Sequence, residues 1–444
     1  VVAEPVVAEP VVAEPVVAAP VVAVAEPSTD DARADDGGGV EVVERAVPER
    51  VTTPEPVAAQ PVAAQPVAGE SVATAEPVVT DPVVTRPAPP EHPQPSEEDA
   101  AAAASTRSFT DVYDALLLDL DGTVFAGHRA LPGAVDTLDK LTIPRFFVTN
   151  NASRRPAQVA EHLTDLGFRA DPEQVVTSAQ TAARLLAEHL EPGSRALVVG
   201  TDGLAQEVRE AGIGVTRSAD DRPAAVIQGH STDTGWAQLS EAALAVRAGA
   251  LWVACNVDAT FPSERGLMVG NGSMVAAVAN ATGRSPLVAG KPAAPLMSDA
   301  IARSRARNPL VVGDRLDTDI EGAHAVGLDS VMVLTGVNNA RDLLAAPPEQ
   351  RPTYVVDNLT GLFHDPDSVR IAEQDGWTVE VTGAEASVTR SDPGAPVESA
   401  VPAVVAAVWR AVDDDGLDPA EVTDVVITHA HPDHVGGLPA LHAA

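Results

Sequence analysis

Between residues 109 and 365, short apolar runs alternate with stretches whose apolar positions return every three or four residues. The runs at 116–119, 145–150, 309–313, 330–335 and 354–357 read as strands, and 133–141, 156–166 and 319–326 read as helices. Leu116-Leu117-Leu118 is apolar without alternation, the pattern of a strand covered on both faces. Ser153 is the expected N-cap of 156–166. A second series lies between these blocks, with strands at 196–200, 224–228 and 251–256 and helices at 180–189, 204–211, 236–246 and 273–282. Strand–helix alternation predicts parallel sheets with right-handed crossovers. The simplest organisation is one α/β module inserted in another, with the host at 109–177 and 287–365 and the insert at 178–286. A small extension follows at 366–415, with a strand at 377–381, a loop at 392–396 and an amphipathic helix at 401–412. Another strand, 422–428, leads into a His-rich turn within 416–444.

The N-terminal region differs in kind. VVAEP recurs at 1, 6 and 11, PVAAQ recurs at 56 and 61, and no aromatic residue occurs before Phe109. Frequent proline removes ladder donors and blocks helix. Residues 1–108 are therefore expected to be a disordered, acidic, partly polyproline-II tail. The formal net charge of −35 argues against nucleic acid or an anionic membrane as partner. No apolar run is long enough for a spanning helix, and no basic region precedes an apolar core as in a secretory signal. Cys255 is the only cysteine, which excludes an intrachain disulfide and fits a reducing, cytoplasmic location. Beginning on Val inside a repeat, the chain reads as a fragment or as one with a misassigned start.

Candidate chemistry sits at the C-terminal ends of the host strands, where open α/β sheets bind ligands. Asp119 and Asp121 flank Leu120 directly after the first strand. One carboxylate can attack phosphorus, and the other can protonate a leaving alcohol and then deprotonate water. A plain Asp-Gly turn is the alternative for this stretch alone. Thr149 and Asn150 follow the second strand and can hold a phosphoryl oxygen, or simply cap a helix. Lys291 stands between an apolar run and Pro292, and can neutralise a nucleophile and a phosphate or merely face solvent. Asp314 and Asp319 follow 309–313; strand-end carboxylates suit a hard cation such as Mg²⁺, and Asp319 can also favour a helix dipole.

Taken together, Asp119-Leu120-Asp121-Gly122-Thr123, Thr149, Lys291 and Gly313-Asp314 with Asp319 resemble the four motifs of the haloacid dehalogenase superfamily. Thr149-Asn150-Asn151-Ala152-Ser153, Ala289-Gly290-Lys291-Pro292 and 313–319 look like its NagD-like class IIA phosphatases. In the insert, Asn256-Val257-Asp258, Phe261-Pro262, Gly266, Gly270 and Gly272 strengthen that likeness. The resemblance implies a Rossmann-like core with a parallel sheet and an inserted α/β cap of the C2a type. It implies Mg²⁺ as cofactor, held by Asp119, the Asp121 carbonyl and Asp314, with Asp319 supporting the metal shell directly or through water. Asp119 would be the nucleophile and Asp121 the acid/base. Thr149 and Lys291 would bind the phosphoryl group, with Asn150 as a further contact. Asn256 and Asp258 of the cap would face the substrate. The substrate would be a small phosphate monoester, with glycerol 3-phosphate first, then a nucleotide monophosphate or phosphoglycolate. Oligomeric state is left open, a homodimer included.

Residues 366–415 loosely resemble a small extension, partly acetyltransferase-like in fold, on some glycerol-phosphate phosphatases. His429, His431, Asp433 and His434 look like the metal motif of metallo-β-lactamase-fold hydrolases, and imidazoles at this spacing suit Zn²⁺. That fold needs further ligands downstream, where only His442 follows, so a complete site is not expected in this chain. A zinc-dependent hydrolase of that type and a non-catalytic interaction protein working through its acidic tail are the two alternatives to a phosphatase.

Overall fold

The computed structural model describes residues 107–429, apart from Glu264 and Thr423. The repeats at 1–105 and the positions His431, Asp433 and His434 lie outside the described residues. The first ordered elements are α1 (Phe109–Val112), β1 (Ala115–Leu118), a hairpin of β2 (Phe125–Ala126) and β3 (Arg129–Ala130), and α2 (Ala134–Lys140). β4 (Arg145–Thr149), α3 (Pro156–Asp165) and β5 (Val175–Thr177) follow. The N-cap of α3 is Arg155 rather than Ser153, because Pro156 takes the first helical position and the Gln158 side chain accepts from the Arg155 N–H at 2.9 Å.

The insert begins with α4 (Ser178–His189), β6 (Arg195–Val199), α5 (Asp202–Glu210), β7 (Gly214–Thr216), β8 (Ala225–Gln228), α6 (Trp236–Arg247) and β9 (Leu251–Ala254). A hairpin of β10 (Thr260–Ser263) and β11 (Gly266–Val269), then α7 (Asn271–Thr282) and β12 (Leu287–Val288), complete it. Its sheet has the order β12-β9-β8-β6-β7 with every pair parallel. Leu287 and Val288, assigned to the host by sequence, pair here with Val253 and Ala254. Ala182, Leu186 and Leu204 bury one face of this sheet, and Ala242, Val246 and Val278 the other.

The chain then re-enters the host through α8 (Ala294–Ser304) and β13 (Pro309–Gly313). The expected helix at 319–326 is instead a π-turn over Leu316–Ile320 that runs into a short α9 (Glu321–Ala325). β14 (Ser330–Val333), α10 (Ala340–Leu344) and β15 (Tyr354–Val356) finish the sheet, whose order is β15-β14-β13-β1-β4-β5, all parallel. Period-two geometry explains its uniform apolarity. Leu116 and Leu118 enter one buried cluster with Leu310 and Val312, while Leu117 and Val311 enter another with Leu296 and Met297. β1 lies between β4 and β13, so the loops leaving three adjacent strands share one edge.

The C-terminal part comprises α11 (Pro366–Val369), an antiparallel β16 (Trp377–Thr382) and β17 (Glu385–Arg390), α12 (Ala400–Asp415) and β18 (Asp424–His429). β18 pairs parallel to β17. Val404, Val405 and Val408 of α12 bury against Leu343, Leu344 and Val355 of the host in one apolar cluster. No helix among the described residues is long and apolar enough to cross a membrane.

Candidate active site

Asp119 leaves β1, Thr149 ends β4 and Asp314 leaves β13, so the sheet order brings them to one cleft. Lys291 reaches the same place from the strand-to-helix turn after β12, although it is almost wholly buried. Its ammonium donates to Asp119 at 2.5 Å, to Asp319 at 2.6 Å and to the Val148 carbonyl at 2.9 Å. All three N–H bonds are thereby used, and a phosphoryl oxygen would have to exchange with one of them. Burial by itself would lower the ammonium pKa, but the charges of Asp119 and Asp319 outweigh it and push it up.

Asp119, Asp314 and Asp319 each place a carboxylate oxygen within 4.8 Å of the others. Burial raises Asp119 well above the usual carboxylate range against the pull of Lys291, with Asp319 and Asp314 adding to the rise. Burial and Asp319 bring Asp314 to about 6. Three crowded carboxylates face one ammonium, so a small divalent cation with oxygen preference matches both the charge and the donor set.

The supporting residues explain how the crowding is held. Thr123 donates to Asp314 at 3.2 Å and the Val337 N–H at 2.8 Å. Gly122 has φ +86°, and a Cβ there would stand 2.4 Å from the Asp314 carboxylate. A Cβ on Gly313 would stand 2.3 Å from Asp319. Asp319 in turn accepts the Arg315 N–H at 3.1 Å inside the π-turn. Asp121 is not one of this cluster but lines the cleft beside it. Desolvation raises its carboxyl, opposed by the Gly127 N–H and by Arg154 and His162.

Asn150 takes a different place from the expected phosphate contact. Its amide N–H₂ donates to Asp258 at 3.1 Å and to the Lys291 carbonyl at 3.0 Å, and its amide oxygen accepts the Lys291 N–H at 2.8 Å. Asn256 donates to the Asn150 carbonyl at 2.6 Å and Ser178 to the same oxygen at 2.7 Å. Asn150 thus ties host to insert and fixes Lys291, with no side-chain group left for a phosphate. Asn256 and Asp258 do lie at the cleft, from the insert side. Burial raises Asp258, partly offset by Arg315 and the Asn150 bond.

The cleft, about 120 Å³, also takes in Phe261 and Arg315, which stand in the motifs quoted from the sequence, and His230, to which the sequence gave no motif. His230 stacks on Phe261 with ring centroids 5.2 Å apart. His230 follows β8 by two residues, so the strand-end rule that found Asp119 applies to the insert as well. Of the His-rich segment, His429 ends β18 and the rest lies outside the described residues.

Comparison with known proteins agrees with this geometry. A haloacid dehalogenase-like hydrolase model matches residues 116–214, and a HAD-hydrolase-like model matches 288–362. A metallo-beta-lactamase superfamily model matches 392–444. D-glycerol 3-phosphate phosphatase of Mycobacterium tuberculosis is 54% identical over 311 residues, 69% of this chain and 88% of its own. Acid sugar phosphatase of Staphylococcus epidermidis is 36% identical over 252 residues, 56% of this chain and 95% of its own. The crystal structure of a Mycobacterium tuberculosis glycerol phosphate phosphatase in complex with magnesium superposes with TM-score 0.68 at 50% identity, covering 75% of this chain and 98% of that one.

Proposed function

The chain belongs to the haloacid dehalogenase-like hydrolases, class IIA, and from that premise we propose that it is a Mg²⁺-dependent phosphatase of a small phosphate monoester, glycerol 3-phosphate first. The observation that carries this reading is Lys291 bonded to both Asp119 and Asp319, with Asp314 completing a carboxylate cluster at the ends of β1 and β13.

Asp119 supplies the nucleophile. Its free oxygen attacks phosphorus while Lys291 holds the other in place. Asp121 stands beside the cleft with a raised carboxyl, so its protonated form is available to the leaving alcohol. The resulting aspartyl phosphate is attacked by a water that Asp121 deprotonates, which releases phosphate and restores Asp119. Thr149 ends β4, lines the cleft and offers a hydroxyl to the phosphoryl oxygens. Mg²⁺ would be held by Asp119, Asp314 and Asp319 with the Asp121 carbonyl, and when bound it offsets the negative charge of the carboxylates and the phosphoryl group. His230, Phe261, Asn256 and Asp258 place the insert over the leaving group, as a cap that selects substrate. A cytoplasmic setting fits the single buried thiol, Cys255.

A panel of phosphate monoesters, assayed for phosphate release with Mg²⁺ and with EDTA, tests the reading. Release is expected with Mg²⁺ only, and Asp119→Asn is expected to lower it at least ~10³-fold. Undiminished turnover in Asp119→Asn would sink the mechanism.

A further inference from the structure

Residues 150–155, which join β4 to α3, belong to the host by sequence and to the insert by contact. Ala152 is buried in the insert's apolar cluster with Leu204 and Ile227. The Ser153 hydroxyl donates to the His230 carbonyl at 3.2 Å, and the Thr201 hydroxyl donates to the Ser153 carbonyl at 3.3 Å. Arg155 closes the segment. Its Nε donates to Glu207 at 2.9 Å, and its Nη2 donates to the two oxygens of Glu210 at 2.6 and 2.7 Å. Both carboxylates stand on α5, one turn apart. Glu207 is only 7% exposed, so its charge depends on that partner. The other end of the segment bears on the cleft. The Asn151 N–H donates to the Thr149 hydroxyl oxygen at 3.1 Å, and the Asn151 side chain accepts the Ser153 N–H at 2.8 Å. With one lone pair of its oxygen taken, the Thr149 hydroxyl turns its proton away from Asn151. Thr149 lines the cleft, and Arg155 is not among the lining residues.

From this chain of bonds we propose that Arg155 is a positioning residue for phosphoryl binding: anchored on α5, it holds residues 150–155 against the insert, and they in turn aim the Thr149 hydroxyl. The inference rests on the phosphatase reading for its ligand, a phosphoryl group. The insert then does more than cover the leaving group, because the host's own phosphate contact is set from it. Arg155 acts through Thr149 and is not a catalytic residue.

Inorganic phosphate is the probe, its Kd measured by calorimetry on the full chain with Mg²⁺. Arg155→Ala is expected to weaken it roughly tenfold, about what one hydrogen bond to a charged group contributes. Arg155→Lys keeps the charge without the planar fork and is expected to fall between. Glu207→Leu separates aim from charge. Removing a negative charge by itself tightens an anion, whereas loosening the segment weakens it, and weaker binding is expected. A double-mutant cycle with Thr149→Val tests the route. In that background Arg155→Ala and Glu207→Leu are each expected to change Kd by less than about twofold. Effects of equal size in both backgrounds, tighter phosphate in Glu207→Leu, or a native Kd in Arg155→Ala would overturn the proposal. Should Arg155→Ala not fold, Glu207→Leu carries the cycle alone. Phosphate that binds while no ester is hydrolysed sinks the phosphatase reading and leaves the cycle to decide Arg155. A native chain that binds no phosphate overturns both.

Discussion

Asn150 spends its entire side-chain amide on Asp258 and on both backbone groups of Lys291. Asn150→Ala should therefore leave buried partners unpaired and cost roughly 1–3 kcal/mol, read by denaturant unfolding. Its effect on turnover should follow from a looser Lys291, so kcat falls more than KM rises. Gly122 offers a sharper case. Its positive φ strains any larger residue, and an added Cβ overlaps the Asp314 carboxylate. Gly122→Ala should weaken Mg²⁺ dependence of activity before it weakens the fold, with the Mg²⁺ titration midpoint moving to higher concentration. An unshifted midpoint would contradict that. That Asp119, Lys291, Asp314 and Asp319 would converge was readable from sequence, because strand-end position and spacing carry the signal. The bond of Asn150 to Asp258 was not readable, since Asp258 lies 108 positions away and only folding brings the two together.

At the level of elements, the apolar strands were legible because burial on both faces leaves an uninterrupted run. β5, β12 and the β10–β11 hairpin were not: β5 and β12 offer only two adjacent apolar residues each, and Pro262 and Ser263 interrupt the hairpin. The π-turn at Leu316–Ile320 escaped for another reason: Arg315 and Asp319 bond locally and override the helical ladder expected there. α12 is long and amphipathic and was found, but its docking onto the host was not foreseen. Val404 is fully buried in the cluster it shares with Leu343 and Val355. Val404→Ala should cost roughly 1–3 kcal/mol in thermal or denaturant unfolding. A polar clasp supports the same docking, with His364 Nδ1 3.1 Å from Glu398. The Glu398 bond raises His364, and the His364 bond lowers Glu398. The histidine contribution is complete below about pH 6.5 and is lost as pH rises through its raised folded value. The glutamate contribution is complete above about pH 4.5 and is lost as pH falls through its lowered value. Both groups are partly exposed, so the total should stay under ~1 kcal/mol. Amide exchange in α12 should be slowest between those limits and quicken at pH 8; an exchange rate corrected for intrinsic chemistry that stays flat would remove the clasp from the account.

For the molecule as a whole, the three facing carboxylates make folding and cation binding one equilibrium. Mg²⁺ at about 100 times its Kd should raise stability by ~2.7 kcal/mol, seen as a higher Tm that EDTA reverses. Removing 416–444 should leave the phosphatase intact, since the cleft draws nothing from β18, and it should loosen the sheet that β18 completes. Loss of all ester hydrolysis in that truncation would move attention to the His429 segment. The insertion has a further consequence, for how the chain reaches this state. Asp114 and Asn308, beside the first paired residues of β1 and β13, are 194 positions apart. During synthesis, β1 must wait until the insert has emerged before its partner β13 exists. The insert owns all five strands of its sheet and can close earlier. Such late, long-range pairing slows folding and leaves Leu116–Leu118 open to other chains in the interval. A refolding trace should show a fast phase from the insert and a slow one from the host. Yield should fall with protein concentration during the slow phase alone.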